Sequence, residues 1–456
     1  MKNLKITGKV NLSGKVESGG NKNAALACLA ASLLLPIPTK EEVLADSPRF
    51  KMSINNLPKI RDVNVFSTML QSLGMRIDSL GKENSLQVRK EVNFNSGVEI
   101  KISQEEARKL RASVLLLGPL LRLYQKVVLP QPGGCKIGPR PIDTHLEAFQ
   151  ELGLHVKEMR DGLYSVERDP AKEDLAVQEI WLRETSVTVT ENILLFTAGN
   201  RKSNLTIRNA ACEPHVETLC QLLNSMDAKI TGIGTNVLSV GSGSFNPKKR
   251  EGIVIEIEPD YIEATTLAVA AAITKSDITI KNVRPNHLFL IEKYFRKMGG
   301  KSLTSLALDG RYEWQIFGKN SELKISHKLR EIKAEPWYGL PTDILPLFLV
   351  LATQCEGELE LIDYMYNGRL INLANSLNNM GANIKLLGNR SLLVKGPTAL
   401  RSRTELSPDL RNGVGLVLAG LCAEGQTVIQ NFEIIERGYE NLPEKLVSLG
   451  AKVEVA

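Results

Sequence analysis

The sequence predicts an α/β protein of two domains, assembled from six copies of one unit with three copies in each domain. Three observations carry that prediction. A helix ending in Leu or Met, a turn residue and a short strand recur as "LGMRI", "LGLHV", "MDAKI", "MGGKS", "MGANI" and "LGAKV". The turn residues stand at 74, 153, 227, 299, 381 and 450, which are 69 to 82 residues apart, and all are glycine except Asp227. Glycine ends a helix in the left-handed conformation at least cost, and a fixed period of this kind marks a repeated architecture. Ahead of these signatures stand apolar helices that lead through a polar turn into a β-rich strand, as in "ENILLFTAGNRKSNLTIRNA", "IEATTLAVAAAITKSDITIKNV", "DILPLFLVLATQCEGELELIDY" and "RNGVGLVLAGLCAEGQTVIQNF". Such helices are apolar nearly all round, so several must share one core with the strands outside them.

Taken in chain order, "MKNLKITGKVNLSGKV" alternates like a strand. The stretch "SGGNKNAAL" at 18–26 then opens an apolar helix. A glycine pair and asparagines there are N-capping chemistry, with Lys22 either a solvated side chain or a group aimed at an anion. Residues 36–55, "PIPTKEEVLADSPRFKMSIN", interrupt the rhythm with prolines and mixed charge and read as an inserted surface loop. The remaining units read strand, helix, strand, helix, strand over about 75 residues each. A substrate that needs enclosing is expected between the two domains.

Composition narrows the function. At 43% hydrophobic over 456 residues, the chain can bury large cores. No run approaches the roughly 18 apolar residues of a membrane helix, and the N-terminus lacks a signal peptide's apolar centre, so a cytoplasmic protein without membrane insertion is expected. The six cysteines form no CxxC pair and the five histidines no HxxxH or HxH pair, which argues against zinc, a disulfide framework or another metal; no cofactor is implied. The net charge of +6 is spread out without an aromatic-interleaved basic run, favouring small anions over nucleic acid.

Several residues stand where chemistry is plausible beside a structural alternative. Arg111 begins "RASVLLLGPL" at a helix mouth, and Arg411 and Arg437 stand in "DLRNG" and "ERGYE"; singly, each also fits a surface ion pair. Cys135 in "PGGCKIG" is flanked by glycines and by Lys136, the setting of an exposed, reactive thiol, unlike Cys28 or Cys422 within apolar helices. Asp343 follows "LPT" and precedes "ILPLFLVLA", a place equally suited to a helix cap.

Together "GGNKNAAL", "RASVLLLGPL", "PGGCKIGPRPIDTH", "PTD", "DLRNGVGLVLAG" and "ERGYENLPEKLVSLGAKV" resemble, in order and from end to end, the enolpyruvyl transferase family, in particular its members that act on UDP-N-acetylglucosamine. The resemblance implies a pair of inside-out α/β barrels: one domain of residues 1–21 with 258–456, the other of residues 22–257 carrying the Cys135 loop. It implies transfer of the enolpyruvyl group of phosphoenolpyruvate to the sugar 3-hydroxyl, opening bacterial peptidoglycan synthesis. Lys22 and Asn23 would then meet phosphate and sugar nucleotide. Arg111, Arg411 and Arg437 would hold phosphoenolpyruvate, and Arg140 would reach both substrates. Pro141, Ile142, Asp143 and Thr144, with His145 a further candidate, and Ser186 with Val187 would contact the nucleotide. Cys135 would donate the proton to C3 and be the thiol opened onto by the epoxide fosfomycin; Asp343 would be the base. Asp260, Glu263, Arg369 and Asp409 match cleft positions with less definite roles.

The pattern also departs from the family. Where its members carry a "KVSVGAT"-like turn, this chain reads "RETSVTVTEN", with Glu184 in place of a common lysine and Thr188 in place of a glycine. The "ENRF"-like segment reads "YNGRL", which shifts Arg369 by one. A divergent transferase for another nucleotide or a nucleoside monophosphate, and a silent sugar-nucleotide-binding paralogue, are therefore the alternatives. The shikimate-pathway transferase is disfavoured, because its Lys-Ser-Asn-Arg and Asn-Ala-Gly-Thr motifs are absent.

Overall fold

The computed structural model describes residues 2–41, 51–81, 84–91, 96–134, 141–169, 177–198, 204–242 and 252–456. Among these, the chain divides into two units. One comprises residues 2–19 and 259–456, the other 20–134 and 141–258. Each has its own apolar core.

The core of the first unit is built on helices Tyr261–Ile273, Leu345–Thr353 and Leu410–Cys422, which pack on one another. Every residue of the first two is buried, as a helix apolar on all sides requires. The second unit repeats this with helices Lys22–Ala31, Leu117–Leu123 and Val187–Thr197, buried along most of their length. Amphipathic helices such as Arg61–Ser72 and Pro285–Lys297 bury one stripe only.

Six four-stranded sheets occur among the described residues. In the sheet of Glu331–Ala334, Gly357–Asp363, Ser391–Gly396 and Asn383–Leu386, the first pair is parallel and the other two antiparallel. The other five have the same pattern. Each therefore holds one strand more than the sequence reading allowed. After five of the turn signatures the short strand pairs antiparallel with a further strand that follows it, and the last, Lys452–Val455, pairs with the N-terminal Asn3–Thr7, because a lone edge strand would leave its backbone groups unpaired. The signature residues at 74, 153, 227, 299, 381 and 450 all have φ between 71° and 104°, Asp227 included.

The reading of 36–55 as a surface loop is corrected at its end. Met52–Asn55 is a strand parallel to Ile253–Glu256. Met52 and Ile54 are fully buried while Ser53 and Asn55 face outward, an alternation hidden behind the preceding prolines and charges. The passage at 19–20 is sterically fixed: a Cβ on Gly20 would lie 1.8 Å from the Asn56 carbonyl oxygen.

Candidate active site

In the second unit, helix Lys22–Ala31 is capped by Asn21, whose Oδ1 accepts from the backbone N–H of Asn23 at 3.0 Å and of Ala24 at 3.1 Å. Capping therefore belongs to Asn21, and Lys22 and Asn23 are left for other work. Lys22 is not solvated: its side chain is 13% exposed and its Nζ forms an ion pair with Asp62, itself buried in the first turn of Arg61–Ser72. Sequence reasoning missed Asp62. A charged residue on a helix with buried Val63 and Phe66 was its one signal.

Arg111 begins a 3-10 turn, and its Nη2 donates to the Pro141 carbonyl at 2.9 Å. The glycines of "PGG" are needed here. A Cβ on Gly133 would sit 1.8 Å from the Arg108 carbonyl oxygen, and Gly134 has φ +115° against Arg111. Cys135, Lys136 and Arg140, which follow, lie outside the described residues.

Beyond them Pro141 is exposed, Ile142 is fully buried, and Asp143 and Thr144 open helix Asp143–Glu151. His145 on that helix is buried and tied to the next element. Asn192 Oδ1 accepts from the Gly118 N–H at 2.8 Å, so Nδ2 donates to the Val114 carbonyl at 2.9 Å and to His145 Nδ1 at 3.1 Å. Nδ1 is thus an acceptor, and His145 Nε2 carries the proton towards Thr188 Oγ1, 3.0 Å away. Burial, with Arg111 nearby, pushes the imidazole down to about 3, so it stays neutral. Ser186 precedes Val187–Thr197 without a side-chain cap bond, leaving the N–H groups of that helix mouth, including those of Val187 and Thr188, to meet other acceptors. Glu184 is exposed.

The first unit gathers a second set. Asp343 lies in the 3-10 turn Thr342–Ile344, one turn ahead of helix Leu345–Thr353, and its carboxylate caps nothing. This corrects the capping alternative. Its Oδ1 accepts from Arg369 Nη2 at 2.6 Å and its Oδ2 from Arg411 Nε at 3.0 Å. Both arginine side chains are at most 5% exposed, while that of Asp343 is 27% exposed. Burial pushes the Asp343 carboxyl up, but the Arg411 and Arg369 guanidiniums outweigh it and hold the group well below the usual carboxylate range. Arg369 Nη1 also donates to Thr342 Oγ1 at 2.9 Å, whose hydroxyl donates to Asp363 at 2.8 Å. The shift by one in "YNGRL" has therefore not removed Arg369 from Asp343.

Asp409 caps helix Leu410–Cys422 through the Arg411 and Asn412 N–H groups. Asp260 caps Tyr261–Ile273; burial pushes its carboxyl up to about 6, with Arg411 opposing. Glu263 accepts from the Gly19 N–H and from Lys445 Nζ, each at 2.6 Å, so its role in the fold is to tie Gly19 to the C-terminal segment. Arg437 ends the 3-10 stretch Phe432–Arg437. Two residues on, the Tyr439 ring lies 5.4 Å from Arg411 Cζ, a cation–π contact that sequence reasoning overlooked in "ERGYE". Since Thr266 Oγ1 donates to the Ile262 carbonyl, the Tyr439 hydroxyl is the donor in its 2.8 Å bond to Thr266.

Among the described residues no group of His, Cys, Asp or Glu is arranged to hold a metal ion, and no helix is long and apolar enough to cross a membrane.

The sequence matches the family described as EPSP synthase (3-phosphoshikimate 1-carboxyvinyltransferase) over residues 6–446. It is similar to the UDP-N-acetylglucosamine 1-carboxyvinyltransferases of Treponema denticola, at 36% identity over 99% of this chain and 98% of the relative, and of Borreliella burgdorferi, at 36% over 98% of each. In fold it is similar to the enolpyruvyl transferase NikO from Streptomyces tendae, with a TM-score of 0.80 at 19% identity over 100% of this chain and 99% of that one. It is likewise similar to EPSP synthase from Acinetobacter baumannii, with a TM-score of 0.69 at 18% identity over 100% of both. The chain is an α/β protein that belongs to the enolpyruvyl transferase family.

Proposed function

We propose that this protein transfers the enolpyruvyl group of phosphoenolpyruvate to the 3-hydroxyl of UDP-N-acetylglucosamine and releases phosphate, the first committed step of peptidoglycan synthesis, carried out in the cytoplasm. The observation that carries the reading is Asp343 between the buried guanidiniums of Arg369 and Arg411, in a chain with full-length relatives bearing that activity in their names. We further propose that the six sheets are copies of one unit, three in each of two inside-out α/β barrels.

The chemistry asks for an acid, a base and several cations. Phosphoenolpyruvate and the nucleotide diphosphate are both anionic, and lysine, arginine and helix N-termini neutralise them without a metal. Lys22, Arg111, Arg411 and Arg437 take the phosphate and carboxylate of phosphoenolpyruvate, and Arg140 reaches both substrates. Asn23, residues Pro141 to Thr144 and the mouth of helix Val187–Thr197 serve the sugar nucleotide. Cys135 delivers a proton to C3, which makes C2 oxocarbenium-like. The sugar oxygen bonds to C2 as its proton passes to Asp343. Loss of a C3 proton and of phosphate then regenerates the double bond. His145, fixed as a neutral donor, positions Thr188.

The test is phosphate release from phosphoenolpyruvate with each of three acceptors. Release with UDP-N-acetylglucosamine, and none with UMP or shikimate 3-phosphate, is expected. Release with UMP alone makes the protein a transferase to a nucleoside monophosphate, and no release with any acceptor makes it a silent binding protein.

A further inference from the structure

Asp343 is the acceptor that Arg369 and Arg411 share. Arg411 is 4% exposed, and its Nε is committed to Asp343 Oδ2, yet its buried Nη1 meets no hydrogen-bond partner among the described residues. Arg369, which shares Asp343 with it, likewise has a buried Nε without a partner among the described residues. A buried guanidinium N–H left unpaired is costly, so two such donors on the two arginines that share Asp343 call for a ligand with more acceptor oxygens than one carboxylate provides. The other acids of the cluster are occupied: Asp409 Oδ1 by backbone N–H groups and its Oδ2 by Asn412 Nδ2, Asp260 by the Ile262 N–H, and Asp363 by Thr342 and the N–H groups of Met365 and Tyr366. Asp343, at 27% exposure, holds neither a helix end nor a backbone turn and can move without uncovering one.

We propose that Asp343 and an anionic group of phosphoenolpyruvate exchange places on Arg411. The anion takes the Nε–H now bonded to Asp343 and reaches donors that the carboxylate leaves unmet. Asp343 then keeps Arg369 as its remaining cation. The groups facing it are Arg369, Arg411 and Thr342. Arg411 is faced in turn by Tyr439 and Asp260, and Arg369 by Tyr366 and Asp409. With the charge of Arg411 neutralised by substrate, the force holding the Asp343 proton affinity down is weakened while its partial burial still raises it. The co-substrate thus arms the base, and a hydroxyl proton is not taken before phosphoenolpyruvate is present. This rests on the enolpyruvyl-transfer reading, but it is tested without turnover.

Inorganic phosphate is the probe, titrated calorimetrically into the intact wild-type protein and the Asp343→Asn variant, with a crystal structure of the phosphate-bound wild type alongside. An amide cannot compete as an anion, so Asp343→Asn should bind phosphate at least about tenfold more tightly. In the wild-type complex, phosphate should lie on Arg411 with Asp343 beyond hydrogen-bond reach of it. Equal or weaker binding by a folded variant overturns the exchange. So does a wild-type complex in which the Asp343–Arg411 bond persists, or in which phosphate avoids Arg411; this second measurement decides the matter if the variant does not fold. Absence of transferase turnover would sink the proposed function without changing either readout.

Discussion

Asp343 and Glu191 are both carboxylates withdrawn from water, and they are driven in opposite directions. Asp343 lies between two guanidiniums, which overcome the effect of burial and keep it ionised. Glu191, 1% exposed on helix Val187–Thr197, is pushed up by burial and further by Glu213 and Glu258, and its Oε1 meets no hydrogen-bond partner among the described residues. Burial alone raises a carboxyl in both places; the sign of the result comes from the charges beside it. One unit thus favours the ionised carboxylate, and the other the protonated one. The same physics separates the cysteines. Burial pushes the Cys220, Cys355 and Cys422 thiols up to about 12 and that of Cys212 to about 11, and it raises Cys28 as well.

The sharpest break of the comparison is to neutralise the paired acid. Asp343→Asn should lower turnover by about 10²- to 10⁴-fold, the usual contribution of a general base. It should also lose about 3–5 kcal/mol of stability in urea at pH 7, because two buried arginines lose their partner. In the wild type, an acid whose folded-state affinity for protons is depressed stabilises the fold above its unfolded value of about 3.9, and that stability disappears as pH falls below it. An Asp343→Asn protein as active as wild type removes the base from the mechanism.

Lys22 is the intermediate case, a cation held by a buried acid. Lys22→Ala should cost about 2–5 kcal/mol in transition-state stabilisation, seen as lower kcat/KM. It also takes the Lys22 ion pair from the buried Asp62 carboxylate, so adding Asp62→Asn should restore part of the stability without restoring turnover. Recovery of turnover in the double variant would mean that Lys22 only holds Asp62.

Among the thiols, fosfomycin should modify Cys135 alone, since the five described cysteines are deprived of thiolate by burial. Peptide mass spectrometry reads this directly, and an adduct at any of the other five would contradict it.

The smallest effect belongs to Glu191. Its raised proton affinity makes its protonated form the stabilising one, so that contribution is complete below about pH 4.3 and is lost as pH rises through the folded-state value. Glu191→Gln should therefore be more stable than wild type at pH 8 and equal to it at pH 4. Parallel stability curves for the two proteins between those pH values would show that Glu191 is not held protonated.

Much of the fold could be read because its signals are local. All-round apolarity marked the central helices, and the left-handed turn at six positions marked the helix ends, even where Asp227 replaced glycine. The strand Met52–Asn55 was hidden because four alternating residues weigh little beside three prolines in one window. The extra hairpin strands follow turns such as "MRDG", "ALDGR" and "LGNR", whose glycines are legible hairpin signals that the reading by helix-end signatures passed over. At the candidate site, residue types were legible and partners were not. Nothing in "LPTD" announces two arginines 26 and 68 residues away, and Asn192, which fixes the tautomer of His145, is 47 residues from it. A capping position and an ion-pair position look alike until the long-range partner is seen.

The most direct measurement is the carbon NMR spectrum of the sugar nucleotide recovered after incubation with phosphoenolpyruvate labelled at C2. The account predicts a vinyl-ether carbon coupled through oxygen to C3 of the N-acetylglucosamine ring. Labelled pyruvate with an unchanged sugar nucleotide, or label on a different hydroxyl, would contradict it.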